Sequence, residues 1–240
     1  QVLVYGPDER FVKAMGVEGD FRPTGVVLVG EELFVVDSKS HEVVVLDRHE
    51  GGVLRRLGGP GKELGRLYYP TGIAAGPDGD IYVSEIGNFR IQQMHPDGTG
   101  VRAFGGPGDV PGSFARPKGV AVDGDGRIFA VDSAFENVQV FDRDGRLLMF
   151  FGGAGSEPGN LNMPTSIEVT TRGVERFRKL ADPRLDLRSL VVVVSQFGLR
   201  RVSVFGYGDW TGPEQDPVPD RSAADGADAV PADARPNVEP

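Results

Sequence analysis

Four stretches of this 240-residue chain hold residue types that could do chemistry, and each departs from the spacing that its chemistry needs. Gly58-Gly59-Pro60-Gly61-Lys62 suggests a loop whose backbone N–H groups and lysine cradle a phosphate. Such a loop requires a glycine four residues upstream of its Gly-Lys pair and Ser or Thr after it. Arg56 and Glu63 occupy those places. Asp123-Gly124-Asp125-Gly126 and Asp142-Arg143-Asp144-Gly145 offer carboxylates to calcium, but position twelve from Asp123, where a bidentate Glu belongs, is Ala134. His41-Glu42 begins like a zinc-protease helix, yet Val43-Val44-Val45-Leu46 continues as a strand and brings no second His. The chain has no Cys and three His, so disulfides, thiolate metal sites and Cys-attached haem are excluded. No catalytic residue, metal or cofactor is expected.

The elements that would position any site follow a strict beat. Pro23-Thr24-Gly25, Pro70-Thr71-Gly72, Pro117-Lys118-Gly119 and Pro164-Thr165-Ser166 recur every 47 residues, and Gly58-Gly59, Gly105-Gly106 and Gly152-Gly153 keep the same interval. Within a period, four short β-runs alternate with Asp-Gly pairs: Gly72-Ile73-Ala74-Ala75, Asp80 to Ser84, Arg90 to Met94, and Val101 to Phe104. Asp-Gly predicts two-residue antiparallel turns. The first run is small and apolar, as a strand crowded near an axis must be. Four antiparallel strands per 40–50 residues predict a propeller blade, so the fold class is all-β.

The stretches Pro70-Thr71-Gly72-Ile73-Ala74 through Asn88-Phe89-Arg90-Ile91-Gln92, and Phe104-Gly105-Gly106 through Val120-Ala121-Val122-Asp123, are similar to the NHL-repeat β-propellers. The match spans about residues 1–206, within a propeller domain placed at 1–208. Complete blades are expected near 22–59, 69–106 and 116–153, with a partial one at 1–16 and a fourth copy at 162–206. That makes 17 strands. The resemblance implies six blades in full, with upstream blades missing from this sequence; a five-blade ring closed by mixing terminal strands is the other arrangement considered. The N-terminus has neither the charged start nor the cleavage site of a signal peptide and reads as a mature or trimmed end.

Two segments break the beat. Pro70 to Glu85 and Pro117 to Asp132 are 15 residues apart, whereas Pro164 to Gln196 is 32. The insertion, 170–188, is basic, and Val174, Phe177 and Leu180 fall at helical spacing ahead of Pro183, making Arg176, Phe177, Arg178 and Lys179 a candidate docking element. Residues 211–240 contain six Pro, seven acids and two Arg, a composition unable to bury a core. The tail, set at 209–240, is expected to lie along a partner.

The remaining site candidates are surface residues on the face where second strands pass to third and blade passes to blade. That face should gather Arg22, His41, Tyr68, Tyr69, Phe89, Arg116, Lys118, Phe135, Met163, Phe197 and Arg200; clustered aromatics and arginines are typical anchors of protein interfaces. An acidic or polar residue ends each second strand (Asp37, Glu85, Asp132, Gln196), and Arg90, Asn137 and Arg201 stand just before the apolar run of the third; a repeated acid–arginine pair is expected to stitch each blade at its rim.

These features predict a non-enzymatic, protein-binding scaffold or assembly subunit. Resemblance to envelope NHL proteins implies a periplasmic or extracellular place and multihaem c-type cytochromes as partners. Propeller hydrolases and lyases that hold a metal in the central channel supply the alternative, with Glu168 the one carboxylate in the middle of an inner strand. The net charge of −9 argues against a nucleic-acid partner. No apolar run of about eighteen residues is present to span a membrane.

Overall fold

The computed structural model describes residues 1–16, 18–19, 21–198 and 201–213. β1 (Val2–Tyr5) and β2 (Phe11–Met15) pair as a two-stranded sheet. Three four-stranded antiparallel meanders follow. The first is β3 (Pro23–Val29), β4 (Glu32–Asp37), β5 (Glu42–Asp47) and β6 (Val53–Gly58); the second is β7 (Pro70–Ala75), β8 (Ile81–Glu85), β9 (Arg90–Met94) and β10 (Gly100–Gly105). The third is β11 (Pro117–Val122), β12 (Ile128–Asp132), β13 (Asn137–Phe141) and β14 (Leu147–Gly152). A last blade has three strands, β15 (Pro164–Thr170), β16 (Leu185–Ser195) and β17 (Val202–Trp210). The 17 strands of the 47-residue reading are present, and the terminal strands stay in separate sheets rather than mixing into one blade.

Neighbouring blades supply the core. Alternate residues of a strand face opposite sides of its sheet, and here both sides are covered. Phe34, Val36, Val43 and Val45 pack against Ile73, Ile81, Val83 and Met94 of the next blade, while Val35, Val44 and Leu46 pack against Met15, Val2 and Val4. This is why Val43-Val44-Val45-Leu46 is an unbroken apolar run. Ile91, Phe114, Ile128 and Phe141 fill the second junction, and Phe129, Val138, Val140, Val191 and Val193 fill the third. Between blades, the loops repeat one form: Pro60 bridges Leu67, Pro107 bridges Phe114 and Ala154 bridges Leu161, each bridge leaving its second member buried.

The Asp-Gly pairs do mark hairpins, but not two-residue ones. In the loop 76–80 the Gly76 N–H bonds Asp80 O at 2.8 Å and the Gly79 N–H bonds Gly76 O at 3.1 Å. A type I′ turn needs positive φ at both central residues; Gly79 has φ 88°, whereas Asp78 keeps negative φ and its carboxylate accepts the Asp80 N–H at 3.2 Å. Between the bonded Gly76 and Asp80 lie three residues, so the turn is longer by one residue than the pair predicts, with the side chain closing it.

The departure in the last blade is also smaller than expected. β15 runs to Thr170 and β16 begins at Leu185, so 185–188 belong to a strand paired with β17 rather than to an insertion. The helix α1 (Val174–Arg178) is five residues long and stops well before Pro183. Gly173 gives it no side-chain cap, and so short a helix carries the full cost of nucleation. β17 extends to Trp210 and the Thr211 N–H bonds Arg184 O at 2.7 Å, which moves the end of the propeller beyond residue 208. Residues 214–240 of the tail, and Arg200, lie outside the described residues.

Candidate functional site

The loop face brings one group of predicted residues into contact. His41 lies in the turn between β4 and β5, and Tyr68 and Tyr69 end the loop that enters β7. The Tyr69 N–H donates to His41 Nδ1 at 2.8 Å, so a neutral His41 carries its proton on Nε2. Ring centroids are 5.0 Å apart for His41 and Tyr68, 4.4 Å for His41 and Tyr69, and 4.8 Å for the two tyrosines. Tyr69 remains 50% exposed and Tyr68 38%, so the cluster presents aromatic surface outward.

The backbone under this cluster is common to the three complete blades, and the side chains are not. His41, Phe89 and Glu136 occupy equivalent turn positions and all adopt left-handed φ, 61°, 54° and 54°. At the third junction Glu136 Oε1 accepts the Met163 N–H at 2.9 Å, as His41 accepts that of Tyr69. Phe89 has no acceptor, and there the Arg116 N–H turns to Asp132 Oδ2 at 3.0 Å. The repeated part of the pattern is structural. Two exposed tyrosine rings on a half-buried imidazole occur together at the first junction alone among the three.

Glu85 anchors the cluster from below. Its side chain is fully buried; Oε2 accepts the Tyr68 N–H at 2.8 Å and Asn88 Nδ2 at 2.6 Å, and Oε1 accepts Arg90 Nε at 2.6 Å and Gln92 Nε2 at 3.1 Å. Burial pushes the Glu85 carboxyl above the ordinary range, with the Arg90 guanidinium and the N–H donors pulling it back. The predicted stitching by a repeated acid–arginine pair is found in this blade only. The places equivalent to Arg90 hold Glu42 and Asn137 in the other two blades, and there the aspartates cap backbone N–H groups: Asp37 takes those of Arg22 and Lys39, and Asp132 those of Ala115, Arg116, Ala134 and Phe135.

The other predicted face residues stand apart. Arg22 and Arg116 are exposed at the starts of β3 and β11, Phe197 is 50% exposed beyond β16, and Phe89 and Phe135 are half-buried. Lys118 is half-buried in β11, and its carbonyl accepts the Ser84 hydroxyl across the blade seam. The insertion presents less free charge than its sequence suggested. Arg178 pairs with Glu175 at 3.2 Å and Asp186 at 3.6 Å, Arg184 with Asp182 at 2.7 Å, and Arg188 with Asp209. Arg176 and Lys179 are exposed, and Phe177 and Leu180 rim an apolar hollow of 310 Å³ against Leu187 and Leu190. Exposed Leu64 and Val110 on the inter-blade loops, and Leu148, Met149 and Phe150 on β14, were missed. The run of five apolar residues 147–151 was the available signal, since an outermost strand covers only part of such a run.

The central channel, 590 Å³, is walled by the inner strands β3, β7, β11 and β15. Its lining is Thr, Gly, Ser, Ala, Val and Ile, with Glu168 its single carboxylate. Among the described residues no three His, Cys, Asp or Glu side chains converge as metal ligands. On the opposite face, His95 Nδ1 lies 2.7 Å from Asp80 Oδ1. The Asp80 carboxylate raises the His95 pKa above its ordinary 6.5, so the charged pair is present below that value and is lost as the pH rises through the folded-state pKa. An NMR titration should place the His95 midpoint above 6.5, and Asp80→Asn should bring it down; a midpoint unmoved by that change would remove the pairing as its cause.

The fold defines a β-propeller, and the NHL-repeat family model matches residues 67–94, which span β7 to β9. The chain thus carries an NHL repeat within a β-propeller fold. It is similar in structure to hydrazine synthase of Kuenenia stuttgartiensis (15% identity, TM-score 0.51, 82% of this chain and 49% of that one). It also matches a streptogramin B lyase (13% identity, TM-score 0.55, 85% of this chain and 60% of that one). A third match is a gluconolactonase of Xanthomonas campestris (16% identity, TM-score 0.52, 80% of this chain and 61% of that one). The chain thus spans about half to three fifths of these solved chains, and the likeness is one of fold. No helix among the described residues is long and apolar enough to cross a membrane.

Proposed function

We propose that the chain is a non-catalytic scaffold that binds another protein through its loop face, centred on His41, Tyr68 and Tyr69 and extended by Arg22, Arg116 and Phe197. The observation that carries this reading is the three-ring cluster, with its two tyrosines exposed, at one junction of an otherwise repeated framework. A side chain serving only the blade would recur with the blade. Aromatic rings held by few rotatable bonds over a rigid base give contact area at low entropic cost, as interface hot spots do. The resemblance to envelope NHL proteins makes a multihaem c-type cytochrome the partner class of choice and an extracytoplasmic location the expected one.

The test is affinity capture from the native source, comparing the full chain with Tyr68→Ala/Tyr69→Ala and with Phe197→Ala. Loss of about 2 kcal/mol at a hot spot weakens a complex roughly thirty-fold, so a stoichiometric partner should disappear from the double variant while its thermal transition is retained. Equal capture by both proteins would move the interface elsewhere. Calcium or zinc retained after dialysis and lost in Glu168→Gln would replace the scaffold reading with a channel-metal enzyme.

A further inference from the structure

The second and third complete blades differ at one place in a way that leaves a hole. In the second blade, Arg90 reaches outward from the start of β9 and fills the space under the inter-blade loop. Its Nε bonds Glu85, and its terminal nitrogens bond the carbonyl oxygens of Lys62 at 2.7 Å, Glu63 at 3.3 Å and Arg66 at 3.0 Å. Forty-seven residues on, the equivalent of Arg90 is Asn137.

The loop itself is unchanged. The Gly112 N–H bonds Gln139 Oε1 at 2.7 Å and Gln139 Nε2 bonds Ser113 O at 2.7 Å, matching Gly65, Gln92 and Arg66 at 2.6 and 2.9 Å. The Ser113 N–H bonds Val110 O at 3.0 Å, as that of Arg66 bonds Glu63 O at 3.1 Å. What is missing is the guanidinium. A hollow of 180 Å³ stands in its place, bounded by Asp109, Val110, Pro111, Phe135, Asn137 and Phe150. Asn137 lines the hollow, and its Oδ1 is buried and makes no hydrogen bond, a costly state for an acceptor.

We propose that this hollow receives an arginine side chain from a partner protein. The reading rests on the chain being a protein binder and supplies a second, chemically specific contact at the rim of the loop face. Three substitutions relative to the second blade suit a guanidinium arriving from outside. Lys62 is replaced by Asp109, which exchanges a repelling charge at the mouth for an attracting one; Asn88 is replaced by Phe135 and Ala103 by Phe150, which put aromatic rings beside the space. A planar cation with several N–H donors stacks on such rings and satisfies carbonyl and amide oxygens together, whereas an ammonium is a compact, strongly hydrated charge. Val110, Leu148 and Phe150, exposed around the mouth and along β14, give the rest of a protein segment an apolar surface to cover.

The test titrates the full isotope-labelled chain by NMR with Nα-acetyl-arginine methylamide, and in parallel with the lysine and leucine analogues. Saturable shifts of the Asn137 side-chain amide and the Val110 and Phe150 backbone amides are expected with arginine, at least ten-fold weaker with lysine or leucine. Asn137→Arg, which seats a guanidinium from within as Arg90 does, should abolish the response and raise the melting temperature; Asn137→Leu, which removes the acceptor, should abolish the response as well. An equal response to leucine would show an apolar hollow only, and no response, or one that survives both variants, would overturn the site. The probes need no partner, so their failure leaves the loop-face reading standing, and Tyr68→Ala/Tyr69→Ala should leave the titration unchanged.

Discussion

Arg90→Met will cost the fold about 3–5 kcal/mol at pH 7.5, the usual price of removing one member of a buried ion pair. Glu85 is fully buried, and its neighbours other than Arg90 are neutral donors. Without the guanidinium, its charge has no counter-ion. For a domain of this size the melting temperature should fall on the order of 10 °C. The pH dependence identifies the cause. Burial already holds the Glu85 carboxyl above its ordinary 4.5, and removing Arg90 raises it further. An acid whose pKa is raised by folding contributes stability below its unfolded pKa and loses it as the pH rises through the folded value. The gap between wild type and variant should therefore narrow as the pH is lowered from 7.5 towards 4.5, in denaturation curves recorded at each pH. A gap independent of pH would mean that lost packing of the Arg90 stem, rather than a stranded carboxylate, carries the effect. Because Glu85 also holds the Tyr68 N–H, the variant should weaken partner capture at temperatures where it is still folded.

The blades could be read from the sequence because their determinants are local and repeated. Turn glycines, the proline opening each inner strand and the apolar runs covered on both faces all fall on the 47-residue beat, and the structure places strands on each of them. What failed to show lay in the residues that break the beat at equivalent places. Asp132 and Glu85 stand at the same place, but the counterpart of Arg90 is Asn137, so Glu85 meets an arginine while Asp132 caps backbone N–H groups alone. The last blade misled for the opposite reason: Leu185 to Arg188 have strand character only through pairing with β17, a partner more than 20 residues away. The face could be located from topology, and Arg22, Tyr69 and Phe197 are exposed as expected. That His41, Tyr68 and Tyr69 form one cluster depends on a hydrogen bond from a backbone N–H to an imidazole, which spacing alone does not reveal.

Gly72→Ala should lower stability by about 3 kcal/mol, because the inner strands of adjacent blades approach too closely there for a side chain. A Cβ on Gly72 would lie 2.5 Å from the Lys118 carbonyl oxygen and 2.9 Å from Ser84 Oγ. Neither atom is free to move: the Ser84 hydroxyl already bonds Lys118 O, and the Gly72 N–H bonds Ser84 Oγ at 2.9 Å. Thr71 Oγ1 completes the seam to Pro117 O at 3.2 Å. The other inner-strand glycines give a graded series. A Cβ on Gly119 would meet Ser166 Cα at 2.9 Å, and one on Gly25 would meet the Ile73 nitrogen at 3.2 Å. Losses measured by chemical denaturation should fall in the order Gly72, Gly119, Gly25. Gly124→Ala, with nothing within 4 Å, should change stability by no more than about 0.5 kcal/mol. A flat series, or one led by Gly124, would remove close packing as the reason for these glycines. The seam matters beyond stability: residues of the loop face come from different blades, and their separation is set by how closely the inner strands stand. A variant that folds with its blades forced apart should bind its partner less tightly even though every contacting side chain is still present.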